Sequence, residues 1–313
     1  MRGVVSSVVV GSGVTGLLLS GSALQAYEYD PLLDSIATSF RHEVEIGVDV
    51  QMMDDNDSTT YTDAVARYNY YLEDIVFDDA PYRESVFASQ RLGHFSLWGG
   101  YQTVTEDSAD EGAKFGAEIE FATPKMPFFF GLSAQGAYFD KTVGSTETET
   151  DVITVRGFID AYLKPRVLLT AGFTAVMSDA SAVTTASDGA KSTVESDATD
   201  TAMDARLKWM STPVKGKAFA AAIGAKQYMP DVGEDVTTAT GSIDYYFSQK
   251  FGLGVDGNYA MSDTEEAEGF GGLARLSYYF QPDAGVLIEG GMFMASESAG
   301  DHTDVNATLQ WRF

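Results

Sequence analysis

The chain has 313 residues, 46 acidic and 20 basic, and a formal net charge of −26. Such a charge repels phosphates and excludes nucleic acid as a partner, while 12% aromatic residues and 31 glycines exclude a disordered acidic chain, which would be poor in aromatics. With no cysteine, disulfides, thiolate metal centres and C-x-x-C-H haem attachment are excluded as well, so the fold itself must supply the stability.

Met1-Arg2, an uncharged run from Gly3 to Ser22 and the small-residue end Ala23-Leu24-Gln25-Ala26 have the layout of a secretory signal peptide, residues 1–26. Cleavage is expected after Ala26, with Ala23 as the alternative because Leu24 is bulky for the minus-three position. Five glycines and five serines in the run argue against a membrane helix. Residues 27–41 read as a periplasmic N-terminal segment and 42–313 as the folded unit.

Beyond Ala26 nothing approaches the roughly 20 continuous apolar residues of a spanning helix. A membrane crossing would therefore use strands, and only a closed ring of strands pairs every backbone group inside hydrocarbon. About fourteen alternating segments appear, with twelve to sixteen the range: 42–53, 61–74, 93–103, 113–122, 128–139, 152–163, 166–177, 201–210, 217–229, 238–248, 251–262, 269–280, 285–296 and 302–313. Val44, Ile46, Val48 and Val50, then Phe115, Ala117, Ile119 and Phe121, then Ile153, Val155 and Ile159 hold one apolar register, which would face lipid. The expected fold class is all-β, a closed antiparallel transmembrane β-barrel.

The connections sort into two kinds. Thr123–Pro127, Lys164-Pro165, Ser211–Gly216, Gln249-Lys250 and Gln281–Ala284 are short, often basic and proline-containing. Asp54–Thr60, Val104–Gly112, Asp140–Asp151, Ser178–Asp200, Pro230–Thr237 and Asp263–Glu268 are longer and acidic. Outer-membrane barrels have this asymmetry, short turns periplasmic and long loops extracellular, whereas a soluble barrel has no reason for it. The loop 178–200, with few apolar residues to anchor it, is expected outside the mouth rather than folded into it. Aromatics gather near the predicted rims, at Phe128-Phe129-Phe130, Tyr138-Phe139, Tyr245-Tyr246-Phe247 and Tyr278-Tyr279-Phe280, as interfacial girdles would.

One short-rim connection breaks the rule. Tyr70–Gly93 is long and mixed, and it carries Tyr70-Tyr71, Asp78-Asp79, Pro81-Tyr82, Glu84 and Phe87 in that order. In this it resembles the general porin family of Gram-negative bacteria, departing from it at Ser85-Val86 and Ala88. The resemblance implies a diffusion channel and supplies no catalytic residue.

Catalytic chemistry has little to stand on. His42, His94 and His302 are placed too far apart to meet, and only His302, with Asp301 and Asp304, sits where a rim triad could form. G-x-S-x-G, H-E-x-x-H and phosphate-loop motifs are absent. Asp54-Asp55-Asn56-Asp57 lacks the glycine and distal glutamate of a calcium loop. The sequence gives no ground to expect an enzyme, a cofactor or a metal.

The polar register supplies the candidate pore lining. Its acids are Glu43, Glu45, Asp49, Asp63, Glu118, Glu120, Asp160, Asp204, Asp244, Asp256, Glu289 and Asp304; its bases are Arg67, Lys114, Arg156, Arg206, Lys208, Lys226, Arg275 and Arg312. Twelve acids against eight bases predict weak cation selectivity, and opposite charges that pair across the lumen would stiffen the wall.

The chain ends on H-T-D-V-N-A-T-L-Q-W-R-F, with Val305, Leu309, Trp311 and Phe313 on the apolar face. This resembles the closing strand of outer-membrane barrels. It implies that Leu309, Trp311 and Phe313 form the signal that engages the barrel assembly machinery. The sequence reading is thus a bacterial outer-membrane channel for ions and small hydrophilic solutes, in contact with outer-membrane lipid and lipopolysaccharide, as a monomer or a homo-oligomer. The alternative is a non-conducting surface barrel whose acidic loops bind divalent cations or partners.

Overall fold

The computed structural model describes residues 39–53, 60–76, 80–84, 86–87, 93–105, 109–122, 128–143, 145–185, 190–262, 268–281, 284–295 and 302–313. The expected signal peptide and the Asp54–Asp57 cluster lie outside them. Fourteen strands follow in chain order: β1 (Ser39–Met53), β2 (Thr60–Val76), β3 (His94–Thr105), β4 (Ala109–Ala122), β5 (Phe128–Val143), β6 (Thr146–Lys164), β7 (Val167–Thr185), β8 (Lys191–Met210), β9 (Ala218–Met229), β10 (Val236–Tyr246), β11 (Phe251–Ser262), β12 (Gly269–Gln281), β13 (Ala284–Ala295) and β14 (His302–Arg312). Each pairs antiparallel with its chain neighbours, and β14 pairs with β1, so the sheet closes on itself. Closure removes the unpaired edges that lipid could not satisfy.

The period-2 pattern decides the two faces. Phe115, Ile153, Ile223 and Val255 are each more than half exposed on the outside, while Glu43, Lys114, Glu120 and Arg312 are buried inside. A closed sheet with an apolar outer band and a charged interior is the transmembrane arrangement. The expected girdles need one correction that follows from the same period. Phe128 and Phe130 point outward but Phe129 is buried, and Tyr246 and Tyr279 turn inward between exposed neighbours.

The strands differ in height. β9 to β14 have 11 to 13 residues, close to the roughly 9–11 that a tilted spanning strand needs. β5 to β8 have 16, 19, 19 and 20. The expected loops 140–151 and 178–200 are therefore largely paired hairpin: Thr142↔Glu147 to Phe139↔Thr150 in one, Ser178↔Ala198 to Thr185↔Lys191 in the other. Thr146-Glu-Thr-Glu-Thr-Asp alternates two polar types. It lacks an apolar face, but threonine favours strands and the ladder bonds are backbone bonds. On the outer face of this wall Asp151, Asp179 and Asp197 share one cross-strand row, and Glu111, Asp140 and Glu149 share another.

Glycines let inward aromatics lie flat on the wall. A Cβ on Gly285 would fall inside contact distance of the Tyr279 ring, and the Tyr279 hydroxyl donates to Gln310 Oε1 at 2.9 Å. Gly285→Ala is expected to cost about 1–3 kcal/mol through this overpacking, read as a lower temperature for loss of the compact gel mobility of the folded barrel.

Candidate functional site

The interior is organised as ion-pair clusters. Near the seam, Arg312 Nε meets Glu43 Oε2 at 2.9 Å, and Asn69 and Tyr71 donate to Glu43 Oε1 at 2.9 and 3.1 Å. Gln310 links this group to Glu45 at 3.1 Å. Next along the ring from β14, on β10 to β13, Arg275 engages Asp244 at 3.0 Å, Glu289 at 2.5 Å and Asp256. Elsewhere Lys114 pairs with Asp63, and Arg156 with Asp204 at 2.7 Å. Arg67 lies over the Trp98 ring, and His94 bridges Glu120 at 2.9 Å and Glu118 at 3.0 Å. Asp49, Asp160, Arg206, Lys226 and Asp304 take inward positions by the same register.

The connection that broke the loop rule enters this lumen. Ala80, Pro81, Tyr82, Arg83, Glu84 and Phe87 are buried, and Tyr82–Glu84 form a single 3-10 turn. This plug leaves the ring between β2 and β3 and lands on β5, β6, β8 to β10 and β13, of which β9 and β10 lie halfway round the ring. Arg83 reaches Asp244 and Glu289, each at 3.5 Å. Glu84 takes Lys208 at 2.6 Å and a hydrogen bond donated by the Tyr246 hydroxyl at 2.8 Å. The Tyr82 amide donates to the Gln249 carbonyl at 3.2 Å, and Gln249 Nε2 donates back to the Ala80 carbonyl at 3.3 Å. Phe87 packs with Tyr162, Phe129, Met210, Ala218 and Ala220; the Tyr162 hydroxyl donates to its carbonyl at 3.0 Å. Because Gln249 lies in the β10–β11 turn, the plug sits at the short-turn mouth.

No known family profile matches the chain, and no curated protein sequence is significantly similar to it. Solved structures are similar in shape. The Acinetobacter baumannii outer membrane protein Omp33 aligns over 89% of this chain and 100% of its own, with a TM-score of 0.54 and 15% identity. The CymD monoaromatic hydrocarbon channel aligns over 92% and 98%, with 0.54 and 8%, and the Pseudomonas putida toluene transporter TodX over 93% and 95%, with 0.50 and 11%. The chain has the fold of an outer-membrane β-barrel.

Within this barrel the expected rim triad reduces to His302 and Asp304, whose side chains approach to 3.5 Å; Asp301 lies outside the described residues. His42 packs against Tyr68, Tyr70 and Phe313 on the outer face at the seam, whereas His94, two strands along, faces the lumen. Among the described residues no three His, Asp or Glu side chains converge as a metal site. The sequence reading missed Arg83, Glu84 and the inward tyrosines. Their signal was the one long connection on a rim of short turns, with adjacent basic and acidic residues after Pro81.

Burial alone would lift the Glu84 carboxyl, but Lys208, Arg83 and the Tyr246 hydroxyl outweigh it and hold the group below the usual carboxylate range. A depressed carboxylate stabilises the docked plug above its free value, and the contribution is lost as pH falls through the docked value. Acidification through that docked value is therefore expected to release the plug, seen as faster solute flux into liposomes in acid than at neutral pH.

Proposed function

We propose that this protein is an outer-membrane diffusion channel for ions and small hydrophilic solutes, weakly cation-selective, whose periplasmic mouth is held shut by the plug. The observation that carries this reading is a charged, water-compatible lumen entered by one segment that is fastened mainly through side chains and not through the strand ladder. A wall of paired charges suits hydrated solutes, and the larger number of inward acids favours cations. Planar-bilayer reversal potentials in a salt gradient, measured on a plug-released variant, test the selectivity; a clear anion preference would overturn it.

The crossing plug also favours a second reading, a non-conducting surface barrel that presents its tall acidic wall outward to divalent cations or to a partner. Conductance separates the two. A barrel that stays closed after the plug is released supports the second.

A further inference from the structure

The outer face of the barrel carries a built cleft. Tyr101, Ala113 and Tyr138 occupy successive positions in one cross-strand row of β3, β4 and β5. The two tyrosines thus stand on either side of a single methyl group, on strands about 9.5 Å apart. One row toward the long-loop rim, Glu111 and Asp140 lie directly opposite each other. These residues, with Thr142, line a cavity of about 250 Å³, and the Tyr101 hydroxyl hydrogen-bonds Glu111.

The row below completes the shape. It runs Gly99, Phe115, Gly136. The Phe115 ring leans over Gly136, where a Cβ would stand 2.9 Å from Phe115 Cζ, whereas a Cβ on Gly99 would meet only a backbone oxygen at 3.6 Å. A bare trough therefore descends from the cleft over Gly99 into the apolar band, toward Leu97.

The electrostatics select one sign of ligand. Glu111, Asp140 and Glu149 are exposed and adjacent in one row, and the Tyr138 row continues outward through Asp151, Asp179 and Asp197. Like charges opposed across strands destabilise a sheet, and a bound cation removes that cost. Tyrosine rings attract ammonium groups electrostatically, and an anionic head would be repelled.

We infer that this cleft binds a cationic amphiphile from the outer leaflet, with one alkylammonium head between Tyr101 and Tyr138 beneath the two carboxylates and its tail in the Gly99 trough. The site lies outside the lumen, so it does not depend on whether the barrel conducts. Native mass spectrometry of the whole protein released from neutral maltoside micelles, titrated with dodecyltrimethylammonium and separately with dodecyl sulfate, tests it. One retained ammonium and no retained sulfate are expected. Glu111→Gln with Asp140→Asn, and Tyr101→Ala with Tyr138→Ala, should each weaken retention by roughly tenfold. Ala113→Trp, which fills the cleft, should abolish it in a barrel that keeps its folded gel mobility. Retention unchanged in the folded Ala113→Trp and carboxamide variants, or equal retention of dodecyl sulfate, would overturn the assignment.

Discussion

Replacing Arg83 with alanine is expected to open the barrel, raising the rate of solute-driven liposome swelling while the folded gel mobility stays that of the parent. Arg83 is almost fully buried and its guanidinium holds two wall carboxylates. Breaking a buried pair costs about 3–5 kcal/mol, a shift of roughly a hundredfold or more in the ratio of docked to undocked plug. Asp244 and Glu289 each keep Arg275 as a partner and the strand ladder is untouched, so the barrel itself should stay folded. Glu84→Ala removes the other fastening and strands Lys208, so a cycle with Lys208→Met separates the latch from the buried charge left behind. Swelling that is unchanged in both variants would place the barrier elsewhere in the lumen.

Arg312→Ala is expected to be the most damaging single change to the barrel itself. The Glu43–Arg312 pair joins the first and last strands and is almost fully buried on both sides. Arg312 also donates to Gln310 at 2.9 Å and lies over the Phe40 and Tyr279 rings. Its loss takes the guanidinium away from the buried Glu43 carboxylate, which Asn69 and Tyr71 contact only as neutral donors, a penalty of about 3–5 kcal/mol. It falls where the ring closes, so the barrel should lose its compact mobility at a lower temperature and assemble in lower yield. Glu43→Gln, which keeps a hydrogen-bonding group, should cost less. Equal melting of Arg312→Ala and the parent protein would show that β1–β14 backbone pairing alone holds the ring shut.

The ring was legible because each membrane-crossing segment carries an apolar face, as in Val44-x-Ile46-x-Val48, and alternation survives even when boundaries are misplaced. The tall wall was not, because Thr146–Asp151 and Ser178–Asp200 have no apolar face and polarity alone does not separate a loop from a solvated strand. The inward charges follow from register, but their partners do not: nothing in sequence order says that Arg275 gathers Asp244, Asp256 and Glu289. The plug was visible as an anomaly in length, yet its landing place halfway round the ring is a tertiary fact. Tyr246 and Tyr279 were misplaced because three aromatics in a row must alternate, and the middle one belongs inside.

The height of β5 to β8 has a consequence for attack from outside the cell. Proteases bind substrate as an unpaired extended chain, and the residues that rise above the membrane here are already hydrogen-bonded on both sides through β6 and β7. The most prominent external part of the molecule should therefore be among its hardest to cut: mass spectrometry of peptides shed from intact cells under limited proteolysis should recover few cleavages between Thr146 and Thr185.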